Sequence, residues 1–279
     1  MRISKILVPL IIEKKQSLLQ VFMTHKEEIG LSYVTVLKLI DQRLIPGIRN
    51  IDLTKKVKYP ASYKKRKDEP TNLAFLTNRT YDNFVNFISD NPSIDVVEMD
   101  TVLSCRDGES CLLTLLFRKS NYMIAFKLEN KTNDEVIRVF NKIKESLGKE
   151  LFKKTFQCIL TDNGTEFADP RTIEFDFETG EQLTKVFYCD PGKSGQKGKI
   201  EKNHVELRKI FPKPTNFDKF TQEQINIALC HVNSEPRAIL NRNAPGTIAT
   251  IWLKEKVLAL TEYKFVAPDD VFLSPKLLK

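Results

Sequence analysis

The sequence predicts an α/β fold on a mixed sheet, and three observations predict it. Apolar runs at 96–103, 112–117 and 122–128 read as strands, and only the turn signals Arg106-Asp107-Gly108-Glu109 and Arg118-Lys119-Ser120-Asn121 separate them, which makes an antiparallel meander. A helical repeat over 132–147 and a buried apolar run over 156–160 follow, and a strand–helix–strand unit joins parallel neighbours through a right-handed crossover. A further strand at 185–188, a loop carrying Gly192, Gly195 and Gly198, and a helix from about Lys199 to Phe211 complete the order. Three antiparallel strands, a helix, a parallel strand, another strand and a helix is the order of a ribonuclease-H-like fold.

Each element has a local cause. Ile6 to Ile12 resembles a signal peptide only until Glu13-Lys14-Lys15, and no small-residue cleavage site follows, so it reads as part of a helix. Leu18, Leu19, Phe22 and Met23 fall at helical spacing, Gly30 permits a turn, and Ser32 is placed to cap a second helix over 33–41. Two short helices about a turn are either a helix-turn-helix, with Tyr33, Thr35, Val36 and Lys38 near a DNA groove, or an ordinary helical hairpin. The stretch 71–89 reads as a helix through Phe75, Tyr81, Phe84, Val85 and Phe87. Val136, Val139, Phe140, Ile143 and Leu147 space the next helix, and Gly148 stops it. Beyond 211 the pattern gives helices over 221–232 and 246–260 and an extended tail. The expected division is a helical, helix-turn-helix-like DNA-binding segment at 1–50, a basic linker at 51–70, a catalytic domain at 71–250 and a C-terminal extension at 251–279.

Charge distribution narrows the partners. The 279-residue chain carries 44 Lys and Arg against 36 Asp and Glu, and residues 1–70 hold 15 of the bases and 7 of the acids, so the whole excess of +8 sits in the N-terminal quarter. Lys55, Lys56, Lys58, Lys64, Lys65, Arg66 and Lys67 cluster around Tyr59, Pro60 and Tyr63 without periodicity, as an extended segment. Such a segment either neutralises nucleic-acid phosphates or serves as a solvated charge run. Five cysteines without C-x-x-C spacing and three histidines exclude a structural zinc site and suit a reducing cytosol, and no run reaches the roughly 20 apolar residues of a membrane span.

The chemistry is expected from carboxylates. Asp162 ends an apolar strand and starts the turn Asp162-Asn163-Gly164; Asp100 lies in the first strand, which should be its parallel neighbour. Glu201 opens the helix after the glycine-rich loop, where it reaches the same sheet edge. Three carboxylates from three elements suit magnesium, a hard cation that takes oxygen ligands. Two such ions about 4 Å apart serve in-line attack on a phosphodiester. Singly, each acid also reads as a surface residue or a cap. Glu98 shares the Asp100 face by strand alternation, Asp95 takes the other, and Glu166 reads as a turn cap. Arg208, seven residues after Glu201, projects from the same helix face, towards a phosphate or towards solvent. Lys199, Lys202 and Lys197 are further candidate phosphate contacts, and His204 either nears the scissile phosphate or hydrogen-bonds within its helix.

Five blocks in order, 96–102, 160–167, 188–191, 196–204 with Arg208 and Phe211-Pro212-Lys213 downstream, and 231–237, resemble the core of the DDE transposases of the insertion-sequence-thirty family. The resemblance implies that Asp100, Asp162 and Glu201 are the metal-binding catalytic triad, with Mg2+ or Mn2+, and that Arg208 is the basic residue that follows the glutamate. It implies a bacterial cytoplasmic, nucleoid-associated enzyme that cuts and joins the ends of a mobile element, with terminal inverted repeats and target DNA as partners and a homodimer or higher synaptic assembly as the working form. Two departures stand out: the family's additional N-terminal helix-turn-helix is missing, as in a shortened copy, and Pro214 replaces the common glycine. The alternatives are an inactive DNA-binding remnant and a ribonuclease-H-like nuclease without strand transfer.

Overall fold

The computed structural model describes residues 2–53 and 73–278. Lys55, Lys56, Lys58, Lys64, Lys65, Arg66 and Lys67, the expected DNA-contacting linker cations, lie outside the described residues. The sheet has strands β1 (Val96–Leu103), β2 (Cys111–Phe117), β3 (Tyr122–Leu128), β4 (Cys158–Thr161) and β5 (Val186–Tyr188) in the order β3-β2-β1-β4-β5. β1 to β3 pair antiparallel, while β1 with β4 and β4 with β5 pair parallel, which is the ribonuclease-H-like arrangement the sequence predicts. β2 is buried along its whole length, as a strand covered on both faces must be.

Helices cover both faces. In chain order they are α1 (Arg2–Val8), α2 (Leu18–Thr24), α3 (Lys26–Ile29), α4 (Tyr33–Asp41), α5 (Tyr81–Asp90), α6 (Asn133–Leu147), α7 (Lys149–Thr155), α8 (Pro170–Glu174), α9 (Gly198–Ile210), α10 (Gln222–Ser234), α11 (Pro245–Trp252) and α12 (Glu255–Ala259). Val97 and Met99 of β1 face a core built with Val136, Phe140 and Ile143 of α6 and Phe152 of α7. Val102 faces the opposite core, with Ile200 and Leu207 of α9 and Ile225 and Leu229 of α10. The alternation that faces α6 with odd residues of β1 therefore leaves even residues, Glu98 and Asp100 among them, on the α9 side.

Boundaries moved where caps and turns outrank periodicity. The helix expected over 71–89 begins only at Tyr81, because Thr80 and Asn83 form a capping box that starts it there; Leu73–Leu76 forms a separate 3-10 turn. The strand expected from Phe156 begins at Cys158, since α7, which the sequence reading did not foresee, runs to Thr155 and Phe156 caps it. The single helix expected over 246–260 is split at Leu253 into α11 and α12, which place Ala249 and Val257 in the α6-side core. Val271 and Leu273 of the tail belong to the α9-side core, so residues 251–278 are woven into the domain.

The N-terminal helices have their own core of Leu7, Ile11, Val21, Phe22, Val36 and Ile40 among others. Ser17 caps α2 and Ser32 caps α4 through bonds accepted from Gln20 N and Thr35 N. Val36 is fully buried, so it cannot be the groove contact suggested for it, while Val34 and Lys38 are exposed on the same helix. The unit is strapped to the tail. Gln16 Nε2 donates to the carbonyls of Pro268 (2.9 Å) and Val271 (2.7 Å), Gln20 Nε2 donates to Pro268 (2.8 Å), and Leu273 N donates to Lys14 O (2.7 Å). Among the described residues no helix is long and apolar enough to cross a membrane.

His25 bridges Glu28 and Asp269, each at 2.8 Å. Burial alone would lower its pKa, but the two carboxylates outweigh burial and raise it above the ordinary imidazole value. A raised folded-state pKa contributes stability that is fully present below the unfolded value, about 6.5, and lost as pH rises through the folded one. The strap is therefore expected to be tightest in mild acid. Amide exchange at Leu273 should quicken as pH climbs through the neutral range beyond the intrinsic base-catalysed trend, and His25→Asn should remove that excess.

Candidate active site

The parallel register positions the first two carboxylates. Glu98 of β1 pairs with Leu160 of β4, so two residues further on Asp100 and Asp162 stand side by side where β4 ends. Thr161 Oγ1 ties this point to β1 by donating to Met99 O at 3.2 Å. The turn after Asp162 is held by Gly164 N, which donates to Asp162 Oδ1 at 3.2 Å. Gly164 leaves room there for the Glu166 carboxylate, since a Cβ would stand 2.6 Å from Glu166 Oε2 and that side chain would have to shift. Glu166 is buried and accepts from Thr101 Oγ1 at 2.8 Å, which braces the residue next to Asp100 from behind.

A lysine links the pair. Lys197 Nζ lies 3.1 Å from Asp100 Oδ1 and 2.9 Å from Asp162 Oδ2, and its side chain is only 5% exposed. Two oxygens that share one ammonium at these distances are no more than about 6 Å apart. Burial would lower the Lys197 pKa, yet the two carboxylates outweigh it and hold the pKa above the ordinary value, so the residue is an ammonium. Burial is also the largest influence on Asp100 and raises its pKa; Asp162 adds to the rise, and Lys197 opposes it. Two carboxylates and one ammonium leave one negative charge, and the site therefore still attracts cations.

Glu201 comes from α9, one turn past Lys197, and lines a cleft of about 720 Å3 with Thr101, Leu103, His204, Arg208 and Lys213. Among the described residues no group of three or more His, Cys, Asp or Glu side chains is gathered closely enough to hold a metal ion. Asp100 and Asp162 are thus brought together, whereas Glu201 lines the cleft beside Thr101, the neighbour of Asp100, and is not gathered with them. The donor set still suits a hard divalent cation: the two aspartates already converge on a cation, and what they converge with is carboxylate oxygen.

Arg208 lines the cleft and donates to the carbonyls of Leu103 (3.0 Å) and Phe211 (3.3 Å), which leaves N–H groups of its five-donor fork uncommitted to those carbonyls. Its burial lowers the pKa without depriving so strong a base of its charge. Lys199 turns away to donate to Arg118 O at 2.8 Å, and Lys202 is exposed outside the cleft lining. His204 does not bond within its helix. Its Nε2 pairs with Thr114 Oγ1 at 2.8 Å and Nδ1 lies 3.8 Å from Asp100 Oδ2, and burial lowers its pKa to about 4, so it is neutral near pH 7. Lys197, marked in the sequence only as a possible phosphate contact, could be located by no spacing rule, because its contact depends on how the glycine-rich loop folds back over the sheet.

Removal of Lys197 leaves two carboxylates facing each other. Breaking a fully buried pair costs about 3–5 kcal/mol, and because Asp162 is 48% exposed a cost of roughly 2 kcal/mol is expected for Lys197→Met after solvent screening. Calorimetry should show a lower melting temperature without metal. Added Mg2+ should raise it further in the variant than in the wild type, because the ammonium no longer competes; equal shifts would show that lysine and metal do not share the place.

No family model matches the chain. It is 35% identical over 178 residues to the "Putative integrase ORF3" of Spiroplasma virus SpV1-R8A2 B, which covers 63% of this chain and 52% of that protein. It is 33% identical over 153 residues to the transposase InsI for insertion sequence element IS30C of Escherichia coli K12, covering 55% and 36%. With the transposase for insertion sequence element IS1086 of Cupriavidus metallidurans it shares 28% over 138 residues, covering 50% and 38%. The chain spans about half the length of the viral relative and just over a third of the two transposases. Solved structures that it resembles include a chain of the simian T-cell lymphotropic virus intasome with PP2A subunit B56 gamma (TM-score 0.43, 15% identity, 56% of this chain and 54% of that one). Another is the HTLV-2 integrase catalytic core domain in complex with magnesium (TM-score 0.39, 18% identity, 55% and 94%). The fold assignment rests on the strand order of the sheet itself, and these sequence relatives are named as transposases of the insertion sequence elements IS30C and IS1086 and as the "Putative integrase ORF3".

Proposed function

We propose that this homologue of insertion-sequence transposases is itself a DNA transposase, with Asp100, Asp162 and Glu201 as its metal-binding carboxylates. The observation that carries the reading is the convergence of Asp100 and Asp162, from neighbouring parallel strands, on one buried cation, next to a cleft in which Thr101, the neighbour of Asp100, meets Glu201 and Arg208. Mg2+ or Mn2+ held by the three carboxylates would supply the Lewis acidity that activates the attacking oxygen and stabilises the leaving one in phosphodiester transfer.

The chain's own residues do the remaining work. Neutral His204, hydrogen-bonded to Thr114, flanks Asp100 without adding positive charge to the metal position. Arg208 and Lys213 line the cleft on the side of Glu201, where cations can hold a DNA phosphate in line. The helical unit at 1–50 and the basic residues of 51–70 supply the sequence-independent DNA affinity. Cleavage at the element's 3′ ends by water and attack of the freed 3′-hydroxyls on target DNA need no covalent protein intermediate, and joining two ends calls for at least two copies of the chain. The reaction takes place in the bacterial cytoplasm, on nucleoid DNA.

The test is a cleavage and joining assay on the element's own terminal repeats with Mg2+. Glu201→Gln and Asp162→Asn are each expected to lower both activities by about a hundredfold or more, while a gel-shift assay shows DNA binding retained. Equal activity in wild type and Glu201→Gln would sink the assignment. Supplied with pre-cut ends, the wild type should join them; cutting without joining would instead identify a nuclease.

A further inference from the structure

Glu98 is 1% exposed, a glutamate buried on the same face of β1 as Asp100, and both its oxygens are spent away from Asp162. Oε1 accepts from Arg118 Nε at 2.6 Å, and Oε2 accepts from the backbone N–H of Ile200 at 2.7 Å, in the first turn of α9. Arg118 comes from the end of β2, where its own N–H donates to Val96 O at 2.9 Å, and its Nη2 donates to Gln196 O at 2.9 Å. Lys199 Nζ returns to Arg118 O at 2.8 Å. The residues gripped, Gln196, Lys199 and Ile200, surround Lys197 and end one short of Glu201. A carboxylate at a helix N-terminus is favourable in itself, since it meets both an unpaired N–H and the positive end of the helix dipole.

The loop that leads into α9 is also fixed by Lys197, which meets Asp100 and Asp162. Gln196 closes it on Asp190, accepting from Asp190 N at 2.7 Å and donating to Asp190 Oδ2 at 2.9 Å. No side chain caps α9, although most of the longer helices in the chain have such a cap. Glu98, reaching across from the sheet, supplies that missing cap from a rigid element.

We propose that Glu98, held by Arg118, is a positioning residue for Glu201: it clamps the first turn of α9 to β1, the strand that carries Asp100, and so fixes the direction from which Glu201 meets the two aspartates. This rests on the reading of those three carboxylates as a metal site. Glu98 is not a fourth ligand, because its oxygens are occupied by the guanidinium and the amide. Helix α9 also buries Ile200 in its first turn, with Leu207 and Ile210 further along, so the Glu98 bond sets the direction of a helix start that packing already holds against the sheet.

The test is Mn2+ binding to the full chain, followed by electron paramagnetic resonance, for wild type, Glu98→Gln, Glu201→Gln and the double variant. Residues that orient a metal ligand typically affect affinity about 10- to 100-fold, and Glu98→Gln is expected to weaken Mn2+ binding by roughly tenfold in the wild-type background and not at all in the Glu201→Gln background. Amide exchange at Ile200 should quicken in Glu98→Gln while exchange in the β1–β2 ladder stays unchanged. Arg118→Lys, which keeps the charge but cannot fork between Glu98 and Gln196 O, should show the same dependence on Glu201 and serves if Glu98→Gln does not fold. Losses that simply add in the double variant, or no loss in the single ones, overturn the positioning role. Unchanged Mn2+ binding in Glu201→Gln overturns the metal reading itself.

Discussion

Two carboxylates held side by side at the edge of a sheet, in surroundings that exclude much of the water, cannot both stay ionised without a cation between them. That constraint organises the half of this molecule built on the sheet. The register of β1 on β4 creates the problem by bringing Asp100 next to Asp162, and the loop before α9 answers it with Lys197. The answer is incomplete by one charge, and Glu201 adds another negative group in the cleft lined by Thr101, the neighbour of Asp100. A structure that gathers acid at one point and neutralises only part of it is arranged to attract further positive charge, which is what a divalent ion and cationic side chains around a phosphate would share.

The same edge is tied to the N-terminal unit through α9. Lys209 and Glu206 of α9 form a buried network with Glu235 and Arg237, in which Arg237 lies 3.5 Å from each glutamate. Glu235 Oε1 in turn accepts from Ser17 N at 2.8 Å, at the start of α2. Two acids and two bases cancel, so the network adds direction without net charge, and a group removed from it would leave its partner buried and unpaired. The helices that carry the basic N-terminal quarter are thus joined by ionic contacts to the helix that carries Glu201, and by the 268–273 strap to the far side of the same core. DNA held by the N-terminal unit would lie on a body continuous with the cleft.

The strand order was legible because its signals are local: apolar runs, turn signals, helical spacing over 132–147 and a Gly148 stop all point the same way. That Asp100 and Asp162 lie side by side was legible because parallel pairing of their strands follows from the same local signals, although singly each acid also read as a surface residue or a cap. The remaining contacts depend on distances along the chain that no pattern encodes. Glu98 looks in sequence like a rival to Asp100, and only the packing of α9 reveals that its oxygens face Ile200 N and Arg118. Arg118 reads as a turn residue because it sits in a turn, and its guanidinium chemistry lies 78 residues away at Gln196. Val36 misled in the opposite sense: helical spacing identified its helix but could not say which face a second layer would bury.

The position of Glu201 follows from these non-local contacts. Its helix starts where Glu98 and Arg118 hold it, ends where Arg208 ties Leu103 O and Phe211 O together, and is neighboured along its length by the N-terminal unit's ionic network. Each tie is made to a different element, so no single substitution among them would release the whole helix, yet each bears on a different part of its course. A carboxylate at the first turn responds most to the tie nearest it. The lever that decides how closely Glu201 approaches Asp100 and Asp162 is therefore the buried Glu98–Arg118 pair, two residues before the first aspartate on the same face of the same strand.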